Sequence, residues 1–279
     1  MSIKKILVPV DFSQHSEYAA EMAADLARKN NAELYLLHAL DIPVYEENWR
    51  HDNYQNFEEG LFLMKRARKR FDEFKSKEFL KGVRVVEAVQ FQNTYELIAE
   101  LADKHKIDLI VMGSKGVGSG LKGYFLGSNT EKVIRFSNVP VITVKQKHET
   151  FNPQNVVFVT DFTENHKRII EATAEVLSGY NPTYYFLRVI TPSYFETTET
   201  TNKKLETFMK SVAVKGETIV YNAETVEEGI IEFNRLHKTD LCVMGTYARK
   251  GLSHLIFGSI TEDVANKADF MVMSVKLEE

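Results

Sequence analysis

DLIVMGSKGVGSGLKGYFLGSNTEKV at residues 108–133 returns as DLCVMGTYARKGLSHLIFGSITEDV at residues 240–264. Each copy is an apolar run ending in Met-Gly, then a glycine-bearing loop, then Gly-Ser ahead of a helical pattern. A second pair supports the first: ILVPVDFS at 6–13 answers VVFVTDFT at 156–163. The chain therefore reads as two copies of one domain, each with a strand-end aspartate and a later glycine-rich loop. That constellation suits a phosphate-bearing ligand.

Working outward, 279 residues suffice for two domains, each able to bury its own core. Apolar residues make up 44%, the share of an ordinary globular protein, which argues against disorder. No apolar stretch approaches the length that spans a bilayer. The opening MSIKKILVPVDFS has too short an apolar run for a signal peptide, so a cytoplasmic protein without a membrane partner is expected. The single cysteine, Cys242, lies in an apolar run and reads as a small core residue. A net charge of −4 speaks against a dedicated nucleic-acid binder. The basic run KRARKR at 65–70 falls inside a helical pattern of Leu61, Met64, Ala67, Phe71 and Phe74, and reads as a solvated face.

Apolar runs alternate with helical patterns in both halves. In the first, strands are expected at 3–10, 32–40, 84–91, 108–113 and 140–145, with helices near 16–30, 56–81, 95–106 and 129–136. In the second, strands are expected near 155–160, 183–190, 217–222, 240–245 and 270–276, with helices near 164–178, 200–213, 225–238 and 260–268. Strands separated by helices imply parallel pairing through right-handed crossovers, an α/β fold. The polar segment KQKHETFNPQ at 145–154 carries Pro153 and marks the boundary, dividing the chain into 1–148 and 149–279. The first half has a longer insert around residues 43–60, readable as a lid or as a plain loop.

Asp11 and Asp161 each end the first strand of a half. In an open parallel sheet, ligands sit beyond the carboxyl ends of the strands where the strand order reverses. An aspartate there can accept hydrogen bonds from a ribose or an adenine edge. Helix capping is the plainer alternative, but capping alone does not demand Asp twice. Gly113, Gly116 and Gly127 let backbone amides approach an anion, and Ser128 opens a helix whose N-terminus favours phosphate. Ser128 with Glu131, and Ser259 with Glu262, also read as capping boxes. There is no P-loop signature. The GxGxxG spanning Gly118, Gly120 and Gly123 lacks the strand-to-helix context of a dinucleotide fingerprint.

These residues resemble the universal stress protein family in its tandem-domain form, once per half. The resemblance implies two tandem open five-stranded parallel sheets of order 3-2-1-4-5, flanked by helices, of the adenine nucleotide alpha hydrolase-like kind. The family's ATP-binding subset carries G-x2-G-x9-G-[ST] after the fourth strand. Here Gly113-x2-Gly116 is followed by ten residues and Gly127-Ser128, while Gly245-x2-Ala248 is followed by nine and Gly258-Ser259. Each copy departs from the pattern once. The resemblance places Pro9, Val10, Asp11, Ala39 and Met112 at the adenosine, and Gly113, Lys115, Gly116, Gly127, Ser128 and Asn129 at the phosphates. Asp161, Met244, Gly245, Gly258 and Ser259 are the counterparts in the second half, where Ala248 and Tyr247 weaken the match.

The function so implied is a regulatory stress-response protein that binds ATP, alone or with Mg, without catalysis or with very slow hydrolysis. A nucleotide-free interaction scaffold and a phosphate-transferring enzyme are the alternatives. The family's fifth strands commonly pair, so PVITVK and FMVMSVK are expected to form an internal pseudo-dimer, with a homodimer of chains left open.

Overall fold

The computed structural model describes residues 3–40, 54–114, 127–148, 150–163, 166–246 and 256–277. They divide into two compact units. The N-terminal unit takes Ile3–Gly113 with Lys147–Phe151, and the C-terminal unit takes Ser114–Gln146 with the chain from Asn152 onward.

The N-terminal unit holds β1 (Lys5–Pro9), α1 (Gln14–Asn30), β2 (Glu33–Leu40), α2 (Tyr54–Lys75), a 3-10 turn at Glu78–Leu80, β3 (Arg84–Phe91), α3 (Thr94–His105) and β4 (Leu109–Gly113). The strands lie in the order β3-β2-β1-β4, all parallel. Ile6, Leu7 and Val8 are wholly buried, as are Leu109, Ile110 and Val111; a strand covered on both faces reads as an unbroken apolar run. α1 lays buried alanines 19, 20, 23, 24 and 27 toward the sheet, and their small size lets the helix axis lie close. Ser13 caps α1 through its hydroxyl, and Asn31 ends it in the left-handed region at φ 51°. The polar connector is anchored rather than loose. Phe151 is fully buried, its N–H donates to Asp25 at 2.8 Å, and its carbonyl accepts from Lys29 at 2.8 Å.

The C-terminal unit holds α4 (Ser128–Phe136), β5 (Val141–Val144), β6 (Asn155–Val159), α5 (Lys167–Val176), β7 (Thr183–Ile190), a 3-10 turn at Pro192–Tyr194, α6 (Thr198–Ser211), β8 (Glu217–Asn222), α7 (Val226–His237), β9 (Leu241–Thr246), α8 (Ile256–Lys267) and β10 (Met271–Lys276). Its sheet runs β5-β10-β9-β6-β7-β8. The second repeat thus realises the order 3-2-1-4-5 as β8-β7-β6-β9-β10.

The expected division into two five-stranded sheets needs correction: the units carry four and six strands. The cause is β5. All four of its residues are buried, and an apolar strand with an open edge leaves amides and carbonyls unpaired. β10 supplies the partner, antiparallel, with Ile142 opposite Met273. Lysines fasten both ends of this pairing. Lys145 donates to the Asn266 and Ala268 carbonyls, each at 2.6 Å, and Lys276 donates to Asn138 at 2.8 Å.

The opening aspartate of each repeated phrase has a structural duty. Asp108 accepts the N–H groups of Lys4 and Lys5 at 2.7 and 2.9 Å. Asp240 accepts those of Gln154 and Asn155 at the same two distances. Each ties the start of a fourth strand to the start of a first, at the sheet edge opposite the candidate site.

Candidate nucleotide site

In the N-terminal unit, β1 and β4 are parallel neighbours with Ile6 opposite Leu109 and Leu7 opposite Ile110. Continued upward, that register brings Val10 level with Gly113. On the other side Pro9 pairs with Leu37, which brings Asp11 level with Ala39. The Val10 N–H donates to the Leu37 carbonyl at 2.7 Å. Five expected residues therefore share one stretch of sheet edge where the strand order reverses, and Met112 precedes Gly113 in β4. Lys115 and Gly116 lie outside the described residues.

Asp11 is exposed and accepts the Ser13 N–H at 2.9 Å. Burial works against its ionised form, but the Ser13 hydroxyl and amide and the Ser16 hydroxyl outweigh it, holding the carboxyl below its ordinary range. The turn that presents it is strained. Phe12 has φ 63°, a conformation costly for an aromatic residue. Its ring is held from below, 4.6 Å from His38 and 5.4 Å from Phe71, with the Arg70 guanidinium 4.7 Å from its centroid. His38 lies with Nδ1 2.7 Å from the Val10 carbonyl, which makes it a satisfied partner of the turn.

The second repeat builds the same turn. Phe162 has φ 61° and packs 5.4 Å from Phe208. The Thr163 N–H donates to Asp161 at 3.0 Å. One difference stands out: the buried His166 places Nδ1 3.0 Å from the Asp161 carboxylate. Against the cost of burial, His166 and Thr163 pull this carboxyl well below its ordinary range. The matching position of the first repeat is Ser16. Met244 and Gly245 lie near the end of β9 beside this turn, in a register that brings Thr160 level with Gly245.

The strand-end glycines are explained by packing. A Cβ on Gly113 would lie 2.3 Å from the His15 carbonyl oxygen and 2.7 Å from the Ser16 nitrogen. One on Gly245 would lie 2.7 Å from Leu277 and 2.8 Å from Ile169. In the first repeat the backbone of α1 leaves no room for a side chain; in the second the neighbours are the side-chain ends of Leu277 and of Ile169 on α5. Gly127 differs, with only Thr130 Oγ1 at 3.8 Å.

Gly127, Ser128 and Asn129 begin α4 in the C-terminal unit, with Gly127 and Ser128 exposed. Here the capping-box expectation is corrected. Gly127 is the N-cap, no side chain caps the helix, and Ser128 is its first residue. Gly258 and Ser259 lie inside α8, which begins at Ile256, so Ser259 is not its cap either.

Sequence reasoning passed over a further pair. Ser114 and Thr246 follow the strand-end glycines, each almost wholly buried, and neither hydroxyl finds a hydrogen-bond partner among the described residues. A buried orphan hydroxyl costs free energy, and two at matching positions mark where each loop leaves its strand. The signal was the repeated Met-Gly-[Ser/Thr]. Among the described residues, no three His, Cys, Asp or Glu side chains gather to hold a metal ion, and no helix is long and apolar enough to cross a membrane.

The model of the universal stress protein family matches residues 2–145 and again 153–276. The chain belongs to the universal stress protein family. Universal stress protein MJ0531 of Methanocaldococcus jannaschii is 35% identical over 151 residues, covering 51% of this chain and 82% of that protein. Universal stress protein MJ0577 of the same organism is 31% identical over 157 residues, covering 52% of this chain and 96% of its own length. Each of these relatives thus corresponds to about half of this tandem universal stress protein. The crystal structure of a universal stress protein from Archaeoglobus fulgidus matches end to end, covering 98% of both chains with a TM-score of 0.73 at 18% identity. That likeness bears on the fold alone.

Proposed function

We propose that this universal stress protein binds ATP at its first repeat and acts as a nucleotide-responsive regulatory protein rather than a catalyst. One observation carries the reading: the exposed, ionised Asp11 is presented by a strained turn where the strand order reverses. Strain of this kind persists only where surrounding packing holds it, and Phe71, Phe74 and His38 hold Phe12. In that position the carboxylate accepts hydrogen bonds from ribose hydroxyls, while Pro9, Val10, Ala39 and Met112 offer apolar surface to the base. By the resemblance to the family, the Gly113-x2-Gly116 sequence that follows the strand is assigned to the phosphates, whose charge suits main-chain amides.

The second repeat is read as closed. His166 already satisfies Asp161 at the position where a ribose would have to compete. The expected stoichiometry is one nucleotide per chain, becoming two in His166→Ser, which restores the first repeat's residue type.

The test is a calorimetric titration of the full chain with Mg-ATP, alongside chromatography of whatever small molecule freshly purified protein releases on denaturation. At a hundredfold excess over Kd, ATP should add about 2.7 kcal/mol of stability. No released nucleotide, no heat of binding and an unchanged melting temperature at millimolar ATP would leave the scaffold reading in its place.

A further inference from the structure

A cleft of about 910 Å3 opens beyond the carboxyl ends of β7 and β8. Ile190, Val220 and Ala223 line it, with Phe195 on its rim. Phe195 is 75% exposed and Val220 41%, so apolar surface lies bare. Carboxylates line the cleft as well: Glu224, Glu228 and Glu232. Glu232 accepts the Tyr221 hydroxyl at 3.2 Å. Glu196, a fourth carboxylate of the lining, is neutralised by Arg188 at 3.0 Å and by Lys204. Glu224 and Glu228 have no ion pair among the described residues.

These features narrow the occupant. A nucleotide is repelled by the carboxylates. A small polycation satisfies them but leaves Phe195 and Val220 in water. What covers both is a helix face with basic residues one turn from an exposed aromatic. The chain carries such a face in its N-terminal unit. On α2, Phe62 is 62% exposed and Leu61 45%. Lys65, Arg66 and Lys69 follow Phe62 at i+3, i+4 and i+7, all exposed and on one side of the helix. Neither Lys65 nor Lys69 makes an ion pair among the described residues.

We propose that a second copy of this chain seats the Phe62–Lys69 face of its α2 in this acidic cleft. The surfaces are different patches, so the contact is heterologous and depends on charge.

The experiment is sedimentation of the full-length protein at about 50 mM and about 500 mM salt, conditions on either side of effective charge screening. Four proteins are compared: wild type, Glu224→Lys with Glu228→Lys, Lys65→Glu with Lys69→Glu, and an equimolar mixture of the two double variants. All four sites are exposed, and thermal melts check that each variant is folded. Wild type should associate at low salt and dissociate at high salt. Each double variant alone should associate at least about tenfold more weakly. The mixture should regain association, because the reversed cleft of one variant now meets the reversed helix of the other. A wild type that stays monomeric at low salt, reversals that leave association unchanged, or a mixture that stays apart each overturns the proposal.

Discussion

Replacing Gly113 with alanine should destabilise the protein before any ligand is added. The new Cβ would sit 2.3 Å from the His15 carbonyl oxygen, 2.4 Å from its carbon and 2.7 Å from the Ser16 nitrogen. These are main-chain atoms of the first turn of α1, so no side chain can rotate away. Either α1 or the end of β4 must move by about 1 Å, and overpacking of that severity costs about 3 kcal/mol. At about 2–4 °C per kcal/mol, the melting temperature should fall by about 6–12 °C. Gly127→Ala is the control. Its Cβ meets only Thr130 Oγ1 at 3.8 Å, so the loss should stay below about 1 kcal/mol. Scanning calorimetry without nucleotide reads both. If Gly113→Ala melts with wild type while ATP binding collapses, that glycine serves the ligand and the packing argument is wrong.

Three further outcomes are expected. Asp11→Ala should lower ATP affinity by about tenfold or more, because an ionised acceptor to ribose is worth about 1.5–3 kcal/mol, and titration calorimetry checks it. Asp161 titrates in the folded protein below its ordinary value of 3.8, so its contribution is present above that value and is lost as pH falls through the depressed one. Acid unfolding of Asp161→Asn should therefore show a shallower loss of stability below about pH 4, from a lower plateau, whereas identical acid profiles would dismiss the His166 contact. Cys242 is fully buried, and burial pushes its thiol up to about 12, so a thiol reagent at pH 8 should label it only after unfolding. Rapid labelling of the native protein would contradict that burial.

Strand periodicity made the fold largely legible. Runs such as ELYLLHAL and TYYFLRVI are apolar on both faces, which only a covered parallel sheet accommodates, and their ends fell within a residue or two of expectation. The sheet split was not legible from local pattern, which does not encode so distant a partner; the pairing of β5 with β10 was expected only from the resemblance. At the site, the two aspartates and glycines were visible as repeated letters, but their reasons were not. Repetition looks the same whether a glycine makes room for a phosphate or, as at Gly113, for a neighbouring helix. The left-handed Phe12 and Phe162 carry no compositional cue, since glycine or asparagine is the usual sign of positive φ. His166 escaped notice because its partner lies five positions back across a turn.

The antiparallel join between β5 and β10 lies inside the C-terminal unit, so the first repeat's last strand takes a partner supplied by the last strand of the second repeat. Loop-closure entropy is paid before so distant a contact rewards it, which makes such pairings slow to form. Duplication thereby sets an order of folding: β5 waits for β10.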